Sequence, residues 1–288
     1  MKSLKHNAVI WFSSCLLMAL LPAAQAYQTP DQTPEFIQFV DEPGNKALQV
    51  SIVRYQPRTG GEQTVDLVGA VHVGDQRYYQ ELNDLFKQYD VVLYELVAPE
   101  GTVIPKGGVA TTGTLSKIQV GLKDLLGLSY QMEEVDYTSQ HFVHADFTPE
   151  EFQKSMDDKG ESIFSMMFNM WRASLSQQLS GQSTASDLEL LMALVSSDRQ
   201  NALKTVMAKE LANSTDLMQA LEGSEGSTIV AERNKKALQV LQREMAKNAQ
   251  SFAIFYGAAH LSDFHQRLVS DFDMVPVSTR WVDAWQLK

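Results

Sequence analysis

Two stretches near opposite ends of the chain share one pattern: an apolar segment followed by Gly, two small or aliphatic residues, and His. They are VDLVGAVHV at 65–73 and FAIFYGAAHL at 252–261. An amphipathic stretch and then a second strand-like run follow each of them. After the first come YYQELNDLFKQY and DVVLYELV, and after the second come SDFHQRLVSDF and MVPVSTRWV. Each set has the length of a β-loop-α-β unit with a parallel crossover. The sequence therefore predicts an α/β fold whose two β-loop-α-β units form a mainly parallel sheet core.

The stretch between the two units is typical of helices. Residues 148–151, Thr-Pro-Glu-Glu, form a capping box with Pro at the first helical position, and residues 229–248 show an amphipathic helical pattern. We therefore expect a first α/β unit at 46–104, a large and mainly helical insertion at 105–250, and a second α/β unit at 251–288 that completes the core.

The first 26 residues have the pattern of a secretory signal peptide. A basic start, MKSLKHN, precedes the apolar run AVIWFSSCLLMALLP and the small residues Ala24-Gln25-Ala26. This predicts cleavage after Ala26 and an exported protein, periplasmic or secreted. Residues 27–45 are rich in Pro and acidic side chains and are expected to form a flexible lead segment. No later run is long and apolar enough for a stable membrane span.

Composition narrows the chemistry of the exported chain. The single cysteine, Cys15, lies in the signal segment, so disulfide and thiol chemistry are not expected after cleavage. The whole chain carries 24 Lys and Arg against 35 Asp and Glu, a formal net charge of −11. This balance disfavours nucleic acid and anionic membrane surfaces as partners. A peptide or a small molecule is the expected substrate class.

His72 and His260 are the first candidates for a functional site. Each follows a predicted strand at its carboxyl end, the edge of an α/β sheet where ligand sites collect. Glycine three residues earlier tolerates φ > 0 and has no side chain, so we expect it to let the chain turn sharply. If the two units are neighbours in the sheet, both imidazoles converge on one point. The alternative is two unrelated histidines at strand ends.

Glu95 ends the second strand of the first unit, DVVLYELV. A carboxylate there is costly to desolvate unless it meets a cation, a proton or a metal. Two histidines and a carboxylate with open coordination positions would hold a divalent ion of the Mn, Fe, Co or Zn kind, which could activate water and polarise a carbonyl. The alternative is a strand-end glutamate that points into water.

These motifs in this order resemble the TraB/GumN superfamily, which includes the Tiki proteases, with erythromycin esterases and haem-binding ChaN proteins as proposed distant relatives. The resemblance rests on VDLVGAVHVG, VVLYELV, AERN and FAIFYGAAHL, and covers the two ends of the chain better than the middle. It implies a metal-dependent peptidase centre formed by His72, Glu95 and His260, with Mn or Co favoured and Zn or Fe possible. Arg233 of AERN would orient Glu95 or bind a substrate carboxylate. The alternative is a surface arginine paired with a nearby acid.

QHFVHADF, at 140–147, offers two further candidates, His144 and Asp146. Either could complete a ligand set or act as a general base. The favoured interpretation is a loop with solvated histidines just before a helix cap. His265, in the predicted helix after the second motif, is expected to face solvent.

The sequence thus favours an exported metal-dependent hydrolase of peptidase type. Neither a His-Glu-x-x-His motif nor a Gly-x-Ser-x-Gly elbow is present, which disfavours zincin-like and serine hydrolase chemistry. Two alternatives stay open. One is a non-catalytic protein of the same fold that binds haem, another ligand or a signalling peptide. The other is a metal-free, esterase-like hydrolase in which His72 and Glu95 form the acid/base pair.

Overall fold

The structure is a computed structural model that describes residues 33–108, 123, 125–161, 184–213 and 227–288. The expected signal peptide, residues 1–26, lies outside the described residues. The strands are β1 (Ile37–Glu42), β2 (Asn45–Pro57), β3 (Thr64–Ala70), β4 (Val73–Gly74), β5 (Val91–Tyr94), β6 (Ser129–Tyr130), β7 (Phe142–His144), β8 (Ser251–Gly257) and β9 (Met274–Gln286). The helices are α1 (Gln76–Phe86), α2 (Gln131–Glu134), α3 (Pro149–Asp158), α4 (Thr184–Val195), α5 (Arg199–Ala212), α6 (Arg233–Met245) and α7 (Leu261–Ser270). Within these ranges, every helix is too short or too polar to cross a membrane.

One sheet forms the centre of the molecule, in the order β1-β2-β3-β8-β5-β7, with β9 paired to β2. The pairs β3–β8, β8–β5 and β5–β7 are parallel, whereas β1, β2 and β9 pair in antiparallel fashion. The small strands β4 and β6 pair separately. The prediction of an α/β fold with a mainly parallel sheet core is confirmed.

The two predicted units interleave rather than lie side by side. Strand β8, from the C-terminal unit, lies between β3 and β5 of the N-terminal unit and pairs with both in parallel. Its central run FAIFY is buried throughout, as expected for a strand whose two faces are both covered. Strand β9 does not lie next to β8; it pairs with β2 along most of that long strand. The second unit therefore contributes one strand to the parallel centre and one to the antiparallel margin.

Apolar side chains cover both faces of the sheet. Helix α1 packs on one face through Tyr78, Tyr79 and Leu82, together with Val68 and Phe255 from the strands. On the other face, α6 and α7 pack against β3, β5 and β8 through a set of buried side chains that includes Ala237, Leu241, Leu261, Phe264, Leu67 and Ile254. Because α6 and α7 lie on the same face, residues at their N-terminal ends can meet at the edge of the sheet.

The described residues of the predicted, mainly helical insertion at 105–250 also include the strands β6 and β7. Strand β7 belongs to this stretch of the chain, yet it pairs in parallel with β5 and forms the margin of the main sheet. A strand of three residues shows too little alternation to be recognised in a sequence.

The predicted capping box does start α3. The Thr148 hydroxyl accepts from the Glu151 amide (3.2 Å), and the Glu151 carboxylate accepts from the Thr148 amide (2.9 Å).

The expected flexible lead segment, 27–45, also differs over its described part. Residues 37–42 form β1, which pairs with β2 in a hairpin whose turn includes Gly44 at φ +82°. Phe36 is buried at the start of this hairpin. The sequence pattern does not predict this strand, because its five strand-like residues, FIQFV, stand between segments rich in Pro and acidic side chains.

Candidate active site

The four parallel strands all end at one edge of the sheet, and each is followed within a few residues by a candidate side chain. His72 follows β3, His260 follows β8, Glu95 follows β5 and Asp146 follows β7. The register aligns the ends of these strands, with partners Ala70 and Gly257, Tyr94 and Phe255, and Tyr94 and His144. The edge therefore gathers residues from distant parts of the chain, as is usual for ligand sites in α/β sheets.

Glu95 lies at the centre of this group. Its Oε1 accepts a hydrogen bond from Arg233 Nη2 (2.9 Å) and lies 3.6 Å from His260 Nε2, while its Oε2 accepts from the Gly257 amide (2.7 Å). Burial raises the pKa of Glu95, but the His260 and His72 rings when protonated, the Arg233 guanidinium and the Gly257 hydrogen bond outweigh this effect and bring the pKa down to about 2. Glu95 is therefore a buried carboxylate that stays ionised at neutral pH.

Arg233 holds Glu95 in place. It is the first residue of α6, directly after a π-helical turn, Thr228–Glu232, and its side chain is buried. Its Nε donates to Asp146 Oδ1 (2.9 Å), its Nη2 donates to Glu95 and to Asp146 Oδ2, and its Nη1 donates to the Ile229 carbonyl (3.4 Å). Since these donors face acceptors of the protein itself, the geometry favours orientation of Glu95 over capture of a substrate carboxylate.

His260 lies in the short 3-10 turn that leads into α7, and its ring is buried. Its Nε2 is directed toward Glu95, and on the far side of the ring its Nδ1 lies 2.7 Å from Asn234 Oδ1. Burial lowers the pKa of His260, and the opposing charge of Glu95 does not fully offset this effect. The imidazole is therefore neutral at pH 7 and able to accept a proton.

His72 occupies a different environment at the same edge. Its side chain is exposed, and its carbonyl accepts from the Gln131 amide (2.9 Å), which ties the loop after β3 to the start of α2. It is close enough to Glu95 for its charge to lower the pKa of that carboxyl. The repeated sequence pattern thus produces one buried histidine and one exposed histidine.

The two motif glycines do not act as expected. The backbone φ of Gly257 is −48°, and Gly69, like Gly257, lies outside the left-handed region. A Cβ on Gly69 would approach the Ser51 carbonyl oxygen and Val50 Cβ to 3.2 Å each, so glycine is needed there for close packing of β3 on its neighbours. A Cβ on Gly257 would meet Glu95 Oε2 at 3.4 Å, an ordinary contact. Gly257 contributes to the site mainly through its amide.

The favoured interpretation of residues 140–147 as a solvated loop differs from the structure. His144 lies in β7, where its Nε2 donates to the Leu96 carbonyl, and its ring lies 5.7 Å from that of Tyr94. Asp146 is only 2% exposed, and both of its oxygens bond Arg233. The expectation that His265 faces solvent is wrong: it is 7% exposed, with Nδ1 2.9 Å from the Tyr55 hydroxyl.

The donor atoms near Glu95 fall short of a closed metal-binding set. Both carboxylate oxygens of Asp146 accept hydrogen bonds from Arg233. His144 Nε2 donates to the Leu96 carbonyl. Among the described residues, no group of three His, Cys, Asp or Glu side chains is arranged to hold a metal ion. His260 Nε2 and Glu95 Oε1 supply two donors, whereas metal sites in proteins generally use three or more. The described side chains therefore supply only part of the ligand set expected for His72, Glu95 and His260, and that metal centre stays a prediction.

Sequence reasoning missed two groups of this site, the Gly257 amide and Asn234. Asn234 follows Arg233 in the AERN motif, but neighbouring residues on a helix point about 100° apart, so helical periodicity does not suggest that both face one site. The π-helical turn directly before them shifts the face that α6 presents. The only indication of Asn234 in the sequence is that it stands next to Arg233 in AERN.

The fold and the site define a class: an α/β protein with a buried carboxylate, a neutral imidazole and a guanidinium at the carboxyl edge of its parallel strands. Comparison with protein-family models, with curated proteins and with solved structures found no match. Membership of the TraB/GumN superfamily therefore stays a prediction from the motifs.

Proposed function

We propose that this protein is a hydrolase in which His260 is the general base and Glu95 stabilises the charge that His260 acquires. The observation that carries the proposal is the pair of facing atoms: His260 Nε2 lies 3.6 Å from Glu95 Oε1 at the edge where the parallel strands end. A neutral imidazole can take a proton from water, and a neighbouring ionised carboxylate makes that transfer more favourable.

The reaction begins with a water molecule that donates one proton to His260 Nε2. The resulting hydroxide attacks the carbonyl carbon of the substrate, and the new imidazolium is stabilised by the Glu95 carboxylate. The imidazolium then returns the proton to the leaving nitrogen or oxygen, which releases an acid and an amine or alcohol and regenerates the neutral ring. Arg233 keeps Glu95 in position throughout, because it pairs with Glu95 while Asp146 holds its guanidinium.

His72 is proposed to contact the substrate. Its exposed ring lies at the same edge, near enough to influence Glu95, and an imidazole N–H could donate to the oxygen that becomes negative during attack. Peptides are the first substrates to test, since the resemblance to Tiki-like proteins supports peptidase activity. The signal-peptide pattern at 1–26 supports an exported location, periplasmic or secreted.

The test compares two histidine variants of the chain from residue 27 to 288. With a fluorogenic peptide library and p-nitrophenyl acetate as probes, we expect His260→Gln to lower kcat by about 100-fold or more, the usual scale of general-base catalysis. The matched control is His141→Gln, because His141 lies at the amino end of β7, away from the site edge. Equal activity of the two variants, with both folded by circular dichroism, would contradict the proposal.

The metal-dependent form of the hydrolase is the second candidate. The observation that favours it is that an imidazole nitrogen, His260 Nε2, and a carboxylate oxygen, Glu95 Oε1, lie together at this edge; both would serve as ligands of a divalent ion, which would supply an activated water. We expect activity to survive dialysis against a chelator. Activity that is lost on chelation and restored by Mn²⁺ or Co²⁺, with metal content reduced in His72→Ala and His260→Ala, would support the metal-dependent form instead.

Two simple measurements distinguish a non-catalytic binding protein from a hydrolase. An absorbance spectrum of the purified protein would show a Soret band if the fold holds haem, and we expect none. Turnover of a probe substrate that depends on His260 would distinguish a hydrolase from a protein that binds a ligand or a signalling peptide.

A further inference from the structure

Asn234 lies against His260 on the side of the ring that faces away from Glu95. It is the second residue of α6 and is fully buried. Its Nδ2 donates to the His260 carbonyl (2.9 Å) and to Asp263 Oδ2 (2.8 Å), and its Oδ1 lies 2.7 Å from His260 Nδ1. The side chain thus bonds both the backbone and the ring of the same histidine.

These contacts determine how the amide is oriented. A backbone carbonyl and a carboxylate can only accept hydrogen bonds, so the atom of Asn234 that faces them must be the NH₂ group. The Asp263 carboxylate is held in turn by Arg267, whose Nε and Nη2 donate to it at 2.7 and 2.9 Å. The amide cannot be turned over without placing its oxygen against two acceptors. Its Oδ1 must therefore face His260.

The orientation of the amide determines the state of the imidazole. Since Oδ1 only accepts, the proton of this 2.7 Å hydrogen bond must come from His260 Nδ1. A neutral imidazole carries one N–H, so Nε2 keeps its lone pair and directs it toward Glu95. In the other tautomer, Nε2–H would point at the carboxylate, an arrangement that Glu95 by itself would favour.

We infer that Asn234 is a positioning residue that holds His260 in its Nδ1–H tautomer, against the pull of Glu95, and so keeps Nε2 available to accept a proton. The catalytic part of this role rests on the function proposed above, whereas the tautomer itself does not. Asp263 and Arg267 belong to α7, the helix that begins just after His260, so the element next to the base also orients the residue that sets its tautomer. Because Asn234 is fully buried, water does not compete for Nδ1.

The experiment is a long-range ¹H–¹⁵N correlation spectrum of the protein labelled with ¹⁵N-histidine, at a pH where the rings are neutral. The chain contains six histidines, and the His260→Gln variant identifies the His260 signals by their loss. In the unaltered protein we expect a protonated-type shift at Nδ1 and an unprotonated-type shift at Nε2. A protonated Nε2 would overturn the inference without any need for a variant at position 234.

Asn234→Leu removes the acceptor while it keeps the size of the side chain. We expect the His260 pattern to reverse, with the proton on Nε2, since the Glu95 carboxylate then attracts the ring proton without competition from the amide. The matched control is Asn83→Leu, because Asn83 likewise uses both ends of its amide to bond distant groups, the Glu134 carbonyl (2.8 Å) and the Asp136 amide (3.0 Å), but lies on α1. This control should leave the His260 pattern unchanged. An unaltered pattern in folded Asn234→Leu protein would also overturn the inference.

Activity measurements separate this inference from the proposed function. A base histidine in the wrong tautomer loses about 10⁴-fold in kcat in a serine protease, and we expect a loss of at least about 100-fold in Asn234→Leu on the peptide probe. A reversed tautomer in a protein that hydrolyses none of the probes would support the role of Asn234 and count against the hydrolase. A reversed tautomer with kcat unchanged would support the positioning of the ring and rule out His260 as the base.

Discussion

At the scale of the residue, the environment of each histidine decides what it can do. His260 is buried between Asn234 and Glu95, His265 is buried against a tyrosine hydroxyl, and His144 donates to a backbone carbonyl, whereas the His72 ring is exposed. The four side chains are chemically identical. Their different partners leave His260 as the one with an acceptor nitrogen directed at a carboxylate of this edge.

Acid should destabilise the protein through Glu95 and His260. The pKa of Glu95 falls from 4.5 to about 2 on folding, and that of His260 is lowered from 6.5, so on acidification the unfolded chain binds more protons than the folded protein. The contribution of His260 to the free energy of unfolding is present above pH 6.5 and is lost as the pH falls below that value. The contribution of Glu95 is lost between pH 4.5 and about 2. Urea unfolding at a series of pH values should therefore show a free energy of unfolding that decreases as the pH is lowered.

Glu95→Gln is the variant that isolates the carboxylate in this series. Its free energy of unfolding should depend less on pH below 4.5 than that of the unaltered protein. Parallel curves for the two proteins in that range would show that Glu95 is not ionised with a lowered pKa in the folded state.

The same variant should also affect turnover. Glu95→Gln removes one negative charge beside the His260 ring, so the imidazolium formed during the reaction loses its stabilising partner. We expect kcat on the peptide probe to fall by about 100-fold or more, within the usual range for acid–base groups. Unchanged kcat in folded Glu95→Gln protein would remove Glu95 from the mechanism.

At the scale of the element, the two glycines of the repeated motif have separate tasks. Gly69 lies within β3 and lets that strand pack closely on β2 and on Leu261 of α7, whereas Gly257 ends β8 and donates its amide to Glu95. The two copies of the motif are also offset by one residue in the register of the sheet, since Gly69 pairs with Tyr256 and Ala70 with Gly257.

Alanine at these two positions should therefore reduce stability to different extents. In Gly69→Ala the new methyl group meets a backbone oxygen at 3.2 Å, and we expect a loss of about 1–3 kcal/mol in the free energy of unfolding, as for overpacked cores. Gly257→Ala makes an ordinary 3.4 Å contact and keeps the amide that donates to Glu95, so we expect a smaller loss of stability and little change in kcat. Denaturant unfolding and peptide hydrolysis measure the two effects. The reverse order of stabilities would contradict this assignment.

At the scale of the whole molecule, the position of β8 unites the two ends of the chain. This strand lies between β3 and β5, and the residues that follow it complete the site started by Glu95. The parallel centre of the sheet thus cannot form from the N-terminal unit alone.

A chain that ends at residue 250 should accordingly fail to fold. It would lack β8, whose five central residues are buried, as well as α7 and β9, so the β3 and β5 edges would have no parallel partner between them. We expect no cooperative urea transition and no near-ultraviolet circular dichroism from this fragment. The control is the chain from 27 to 288, which keeps every described strand. A cooperative transition in the shorter fragment would show that the N-terminal unit is an independent domain.

The fold class and several elements could be predicted because they depend on local patterns. The apolar runs of β3, β5 and β8, the capping box of α3 and the amphipathic pattern of α6 are visible in the sequence and appear in the structure. Strands β1 and β7 were not foreseen, because short strands are stabilised by partners elsewhere in the chain rather than by their own pattern.

The sequence by itself determined that the chain would form strand–helix–strand units and that polar residues would follow the strands at their carboxyl ends. The tertiary structure alone decided that β8 enters between β3 and β5, that Asp146 and Asn234 join the group, and which histidine is buried. The physical reason is that strand order, desolvation and hydrogen-bond direction depend on which distant residues meet, and the hydrophobic pattern of one segment carries no information about its partner.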